Sequence, residues 1–102
     1  MSKRLATLEA LVEEGTADAF VHYGLAMEYR SEGRTEDALR VFTELRRVHA
    51  EYLPMYLLCG QLLAGESRSA EARDWLETGL ALATSTGDAK AKSELAEALA
   101  DL

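Results

Sequence analysis

Apolar side chains return every three or four residues along most of the chain, the period of a helix with one buried face. Leu5, Leu8, Leu11 and Val12 form the first stripe, and Gly15 follows where a left-handed cap sits, so a helix over about 3–14 is expected. Thr16 offers an N-cap, and Asp18 a first-turn acid, for a second helix over about 17–32. Its stripe runs through Val21, His22, Leu25, Ala26 and Tyr29 and is closed by Gly33. Thr35 is expected to cap a third helix, with Ala38, Val41, Phe42, Leu45 and Val48 inward and Glu36, Arg40 and Glu44 opposite. Pro54 lacks only an N–H that has no partner in a first turn, so a fourth helix starts near 53 and ends at Gly65. Ser69 is expected to cap a fifth, with Ala72, Trp75, Leu76, Gly79, Leu80 and Leu82 on its apolar side and Arg73 and Glu77 in water. After the turn TSTGD, which offers Thr86 and Asp88 as caps, Ala91, Leu95, Ala98, Leu99 and Leu102 make the last stripe.

Six short helices joined by a few residues each must fold back as antiparallel neighbours, which makes the fold all-α. The stripes also repeat. Laying Ala38 over Ala72 brings His22 over Tyr56, Leu25 over Cys59, Ala26 over Gly60, Tyr29 over Leu63 and Phe42 over Leu76, without a gap and with a period of 34 residues. Small residues at 26, 38, 60 and 72 let two helices approach, and Tyr29, Phe42, Leu63 and Leu76 fill the volume beside them. This pattern of His22-x2-Leu25-Ala26-x2-Tyr29 with Ala38-x3-Phe42, and its second copy, resembles the tetratricopeptide repeat (TPR).

The resemblance implies helical hairpins stacked as a short right-handed solenoid. The layout expected is a single domain with an N-terminal helix over 1–15, repeat one over 17–50, repeat two over 52–84 and a capping helix over 87–102. The first helix is similar to the second half of a preceding repeat, and the last to the family's terminal cap. The chain departs from the family pattern in three places. His22 stands where an aromatic usually opens the motif, and Ala50 and Thr84 replace the closing proline. Ser67 stands where repeat one has Gly33, so the second hairpin turn is expected to be irregular.

Composition narrows the chemistry. The 102 residues carry 18 acidic and 11 basic side chains, a formal charge of −7 that repels nucleic-acid phosphates, and no membrane span is evident. The lone Cys59, set among apolar residues, is expected to be a buried thiol of a cytoplasmic protein. His22 and His49 lie 27 residues apart with no metal-ligand spacing around them. The sequence GESRS at 65–69 lacks both the second glycine and the strand of a nucleophile elbow. The expectation is therefore a non-enzyme without metal or cofactor.

Helices two and four carry apolar side chains beyond those that a hairpin core consumes. Phe20, Tyr23, Met27 and Arg30 share one edge of helix two, and Leu57 and Gln61 occupy the corresponding edge of helix four. The resemblance implies that the first helix of each pair lines a concave face where partners bind. At the positions where carboxylate-clamping members place Lys and Asn, this chain has Tyr23, Met27, Leu57 and Gln61. These six residues are the expected partner-binding groove, for an apolar peptide or helix of another protein with a carboxylate meeting Arg30. The alternative is a homodimer through the same edge or through an end helix.

Overall fold

A computed structural model describes residues 2–102 of the chain, with six helices and no strand among them. The helices fall into two compact units, Met1–Ala50 and Glu51–Leu102. The first holds α1 (Lys3–Glu13), α2 (Ala19–Ser31) and α3 (Thr35–Val48). The second holds α4 (Pro54–Gly65), α5 (Ser69–Thr86) and α6 (Ala89–Ala100). Within the first unit α2 packs on both α1 and α3, and within the second each helix packs on the other two.

In the first unit the inward stripes converge on Leu5, Leu25, Ala26, Tyr29, Ala38, Phe42 and Leu45, all buried. Ala26 and Ala38 have no exposed surface, as expected of small residues at a helix crossing. Val48, expected inward, is 50% exposed because α3 ends with it and leaves its last turn uncovered. In the second unit Met55, Tyr56, Cys59, Leu63, Ala72, Trp75, Leu76, Ala83 and Leu95 are buried. Gly60 marks the equivalent crossing to Ala26: a Cβ there would lie 2.4 Å from Leu76 Cδ2, so any larger residue would force that buried leucine to shift.

The two hairpin turns are alike in detail, which corrects the expectation of an irregular second turn. In the first, Gly33 takes φ +74° while its N–H donates to the Arg30 carbonyl and the Arg34 N–H donates to the Tyr29 carbonyl, 2.9 Å away. In the second, Ser67 takes φ 60°, its N–H donates to the Ala64 carbonyl, and the Arg68 N–H donates to the Leu63 carbonyl, also at 2.9 Å. Both are Schellman closures, in which the residues past the helix satisfy its last carbonyls. The hydrogen bonds impose the left-handed conformation on Ser67 at the cost that any Cβ meets there.

Three expected caps also move. Asp18, rather than Thr16, caps α2, its carboxylate accepting the Phe20 N–H at 2.9 Å, while the Thr16 hydroxyl accepts the Asp18 N–H one step earlier. Thr35 and Ser69 are the first helical residues of α3 and α5, not their caps. The residues before them, Arg34 and Arg68, are held by the preceding turn and make no side-chain cap. Instead the Arg34 and Arg68 Nε atoms reach forward to Asp37 (2.9 Å) and Glu71 (2.6 Å), which places an acid in each first turn. Asp88, of the two candidates, caps α6 by accepting the Ala91 N–H at 3.0 Å.

Candidate functional site

Helix α2 is buried on one side by α1 and α3, and this determines which of its side chains are left over. Gly24, Leu25, Ala26 and Tyr29 face inward. Phe20 is 67% exposed and Met27 38% exposed, seven residues apart and so two turns along the helix. Arg30 is exposed in the last turn, with no side-chain hydrogen bond or ion pair among the described residues. Tyr23 is different: it is half-buried, its ring 6.5 Å from that of Phe42 in an edge-to-face pair, so much of it belongs to the hairpin core. In the second unit Leu57 is half-buried and Gln61 exposed on α4.

Gln61 opens onto a cavity of about 210 Å³ that sequence reasoning missed. Ala64, Leu76, Ala98, Asp101 and Leu102 complete its lining. The spacing of Ala98, Asp101 and Leu102 at three- and four-residue steps along α6 and its end was the available signal, but the charge of Asp101 suggests a side facing water.

The histidines, distant in sequence, converge in the first unit. His22 Nε2 lies 3.0 Å from the Thr16 carbonyl and His49 Nε2 lies 2.8 Å from the Ala17 carbonyl. A carbonyl only accepts, so each Nε2 carries a proton and donates it. The two rings thereby hold the link between α1 and α2, beside a cavity of about 410 Å³ that Val12, Leu45 and Val48 also line. Glu44 borders it too, its carboxyl held below the usual range chiefly by hydrogen bonds from Arg47 at 2.5 and 3.0 Å. No cluster of three or more metal-ligating side chains occurs among the described residues, and no helix there is long and apolar enough to cross a membrane.

Helical hairpins with small residues at each crossing, and an equivalent turn repeated 34 residues on, define a helical-repeat protein. Neither a family model nor a curated protein sequence matches the chain. Solved structures do. The crystal structure of a tetratricopeptide repeat domain protein from Salinibacter ruber is 31% identical, over 82% of this chain and 93% of that one, with a TM-score of 0.76. The solution structure of a tetratricopeptide repeat domain protein from the same organism gives 0.78 over 82% of this chain and 85% of that one, again at 31% identity. The solution structure of a protein from Bordetella parapertussis is 28% identical over 99% of this chain and 88% of that one, with a TM-score of 0.83. The chain belongs to the tetratricopeptide repeat family, and its general role is that of a protein-interaction module.

Proposed function

We propose that the protein binds a peptide or helix of another protein through side chains on the first helix of each repeat. On α2 these are Phe20, Met27 and Arg30, with the outer edge of Tyr23; on α4 they are Leu57 and Gln61. The observation that carries this reading is the exposure of Phe20 and Met27 on a helix whose other side is packed through Gly24, Leu25, Ala26 and Tyr29. Water-exposed aromatic and thioether surface on one edge gains free energy when a partner covers it, about 25 cal/mol per Å² of apolar area removed from water. The unpaired Arg30 at the end of that edge adds a site for a partner carboxylate. The reading is binding rather than catalysis.

Chemical cross-linking in native lysate, compared between the wild type and Met27→Glu, tests it. The variant places a charge on the exposed edge without touching the buried one, so its thermal melt should be unchanged while the cross-linked partner is lost. A partner retained at wild-type yield by a folded Met27→Glu variant rejects the α2 edge. Light scattering across concentration supplies the other control: a dimer that Met27→Glu dissociates would assign the edge to self-association instead.

A further inference from the structure

We propose that the cavity beside Gln61 receives one arginine side chain of the bound partner. This rests on the binding reading above and shares Gln61 with it, but concerns a cavity within the second unit that the α2 edge does not line. At about 210 Å³ the cavity is smaller than the roughly 300–1,000 Å³ of pockets that enclose drug-sized ligands, so its size suits a single side chain. Leu76, Ala64, Ala98 and Leu102 give it an apolar lining, against which the methylene stem of a long side chain can lie.

Two polar groups join that lining, and they select the head group. Asp101 is an acceptor when ionised, Gln61 offers a carbonyl oxygen, and neither side chain has a hydrogen bond or ion pair among the described residues. A guanidinium presents five donors in a fixed plane, enough for a carboxylate and an amide carbonyl together. A carboxylate would meet Asp101 with like charge, and a purely apolar side chain would take water from Asp101 without replacing its hydrogen bonds. The surroundings favour a cation as well, since residues 51–102 carry nine carboxylates against four basic side chains. Of those four, Arg68 and Arg73 are already paired with Glu71 and Glu77. Lys90 and Lys92 stand in the first turn of α6, with Lys92 about 14 Å of helical rise from Asp101, beyond the screening length of about 8 Å at physiological salt.

The test uses the isotope-labelled full chain and propylguanidinium chloride as the probe, with butanoate and 1-butanol as controls, read by amide chemical shifts. Propylguanidinium should give saturable shifts at Gln61, Ala64, Ala98, Asp101 and Leu102, butanoate should give none, and 1-butanol should bind more weakly. Asp101→Asn, with an unchanged melt, should weaken the probe by about threefold or more, as loss of one exposed ion pair would. Absence of saturable shifts at these residues, equal binding of 1-butanol, or an Asp101→Asn variant that binds as the wild type does would overturn the proposal. Met27→Glu should leave the titration untouched. Failure here therefore removes the arginine pocket alone, whereas failure of the cross-linking comparison removes the α2 edge alone.

Discussion

Gly79 of α5 and Tyr56 of α4 meet so closely that a Cβ on Gly79 would lie 2.5 Å from the Cβ of Tyr56. Thirty-four residues earlier the same two positions are Leu45 and His22. The second repeat therefore exchanges large for small on one helix and an imidazole for a larger phenol ring on the other, and Tyr56 lies buried with its ring 5.7 Å from that of Trp75. Both Cβ atoms are fixed to backbones, so no rotamer relieves the clash and the helices themselves must part.

Gly79→Ala should accordingly destabilise the protein. Alanine gains about 1 kcal/mol in helix propensity, but overpacking costs roughly 1–3 kcal/mol at sites that can adjust, and this one cannot. A net loss of about 1–2 kcal/mol, visible as a melting temperature lowered by several degrees, is expected. Gly65, in the last turn of α4, provides the control, because a Cβ there meets nothing within 4 Å. Gly65→Ala should stabilise by about 0.5–1 kcal/mol. Thermal melts of the two variants should therefore move in opposite directions.

Ser67 holds the left-handed conformation that Gly33 holds without a Cβ. Ser67→Gly should stabilise by about 1 kcal/mol, and Gly33→Ser should destabilise by a similar amount. The two turns share their hydrogen bonds, so urea midpoints should shift by comparable amounts with opposite sign and with unchanged slope.

These turns also show what was legible in the sequence. The period was readable from Ala38 and Ala72 because a helix crossing has room for little else, and both are fully buried in equivalent settings. The turn was not readable at Ser67, because hydrogen bonds from the flanking backbone fix its conformation whatever the side chain. Thr35 and Ser69 look like caps by residue type, yet the closure of the preceding helix sets the start of the next one. On the candidate site, the exposure of Phe20, Met27 and Arg30 followed from α2's periodicity alone. Asp101 is exposed, as a charge on a helix suggests, but only the packing of α6 shows that a cavity adjoins it.

His22 and His49 donate to neighbouring carbonyls and so fasten the link between α1 and the first repeat. Each such bond contributes about 0.5–1.5 kcal/mol net. In a His22→Ala, His49→Ala double variant, the amides of the link (residues 15–18) and of α1 should exchange hydrogen faster while those of α5 are unchanged. Unaltered exchange in α1 would show that its apolar face alone holds it in place.

Tyr29 ties α1 to α2 from the other side, its hydroxyl donating to Glu9 at 2.5 Å while the Arg34 guanidinium lies 4.6 Å from the ring centroid. Burial, then the hydrogen bond to Glu9 and its charge, push the Tyr29 pKa up to about 12. A pKa raised in the folded state contributes stability that is complete below the unfolded value near 10 and is lost as pH rises through about 12. Tyr29→Phe should abolish the late phase in phenolate absorbance and flatten the decline of stability between about pH 10 and pH 12. At neutral pH it should cost about 1.5–3 kcal/mol, the worth of a hydrogen bond to a charged acceptor.

Cys59 has no exposed surface and lies in the same packed layer as Tyr56 and Leu63. A thiol reagent reaches it only when the second unit opens, so labelling of the native protein should be slow and should approach the rate of a free thiol in denaturant. The opening equilibrium then becomes measurable at one atom. Gly79→Ala should speed labelling about five- to thirtyfold, in proportion to its expected loss of stability, whereas Ser67→Gly should slow it by about fivefold. The histidine double variant, altered only in the first unit, separates the two units: a labelling rate equal to wild type would mean that the second opens without the first, and a faster one that the units unfold together.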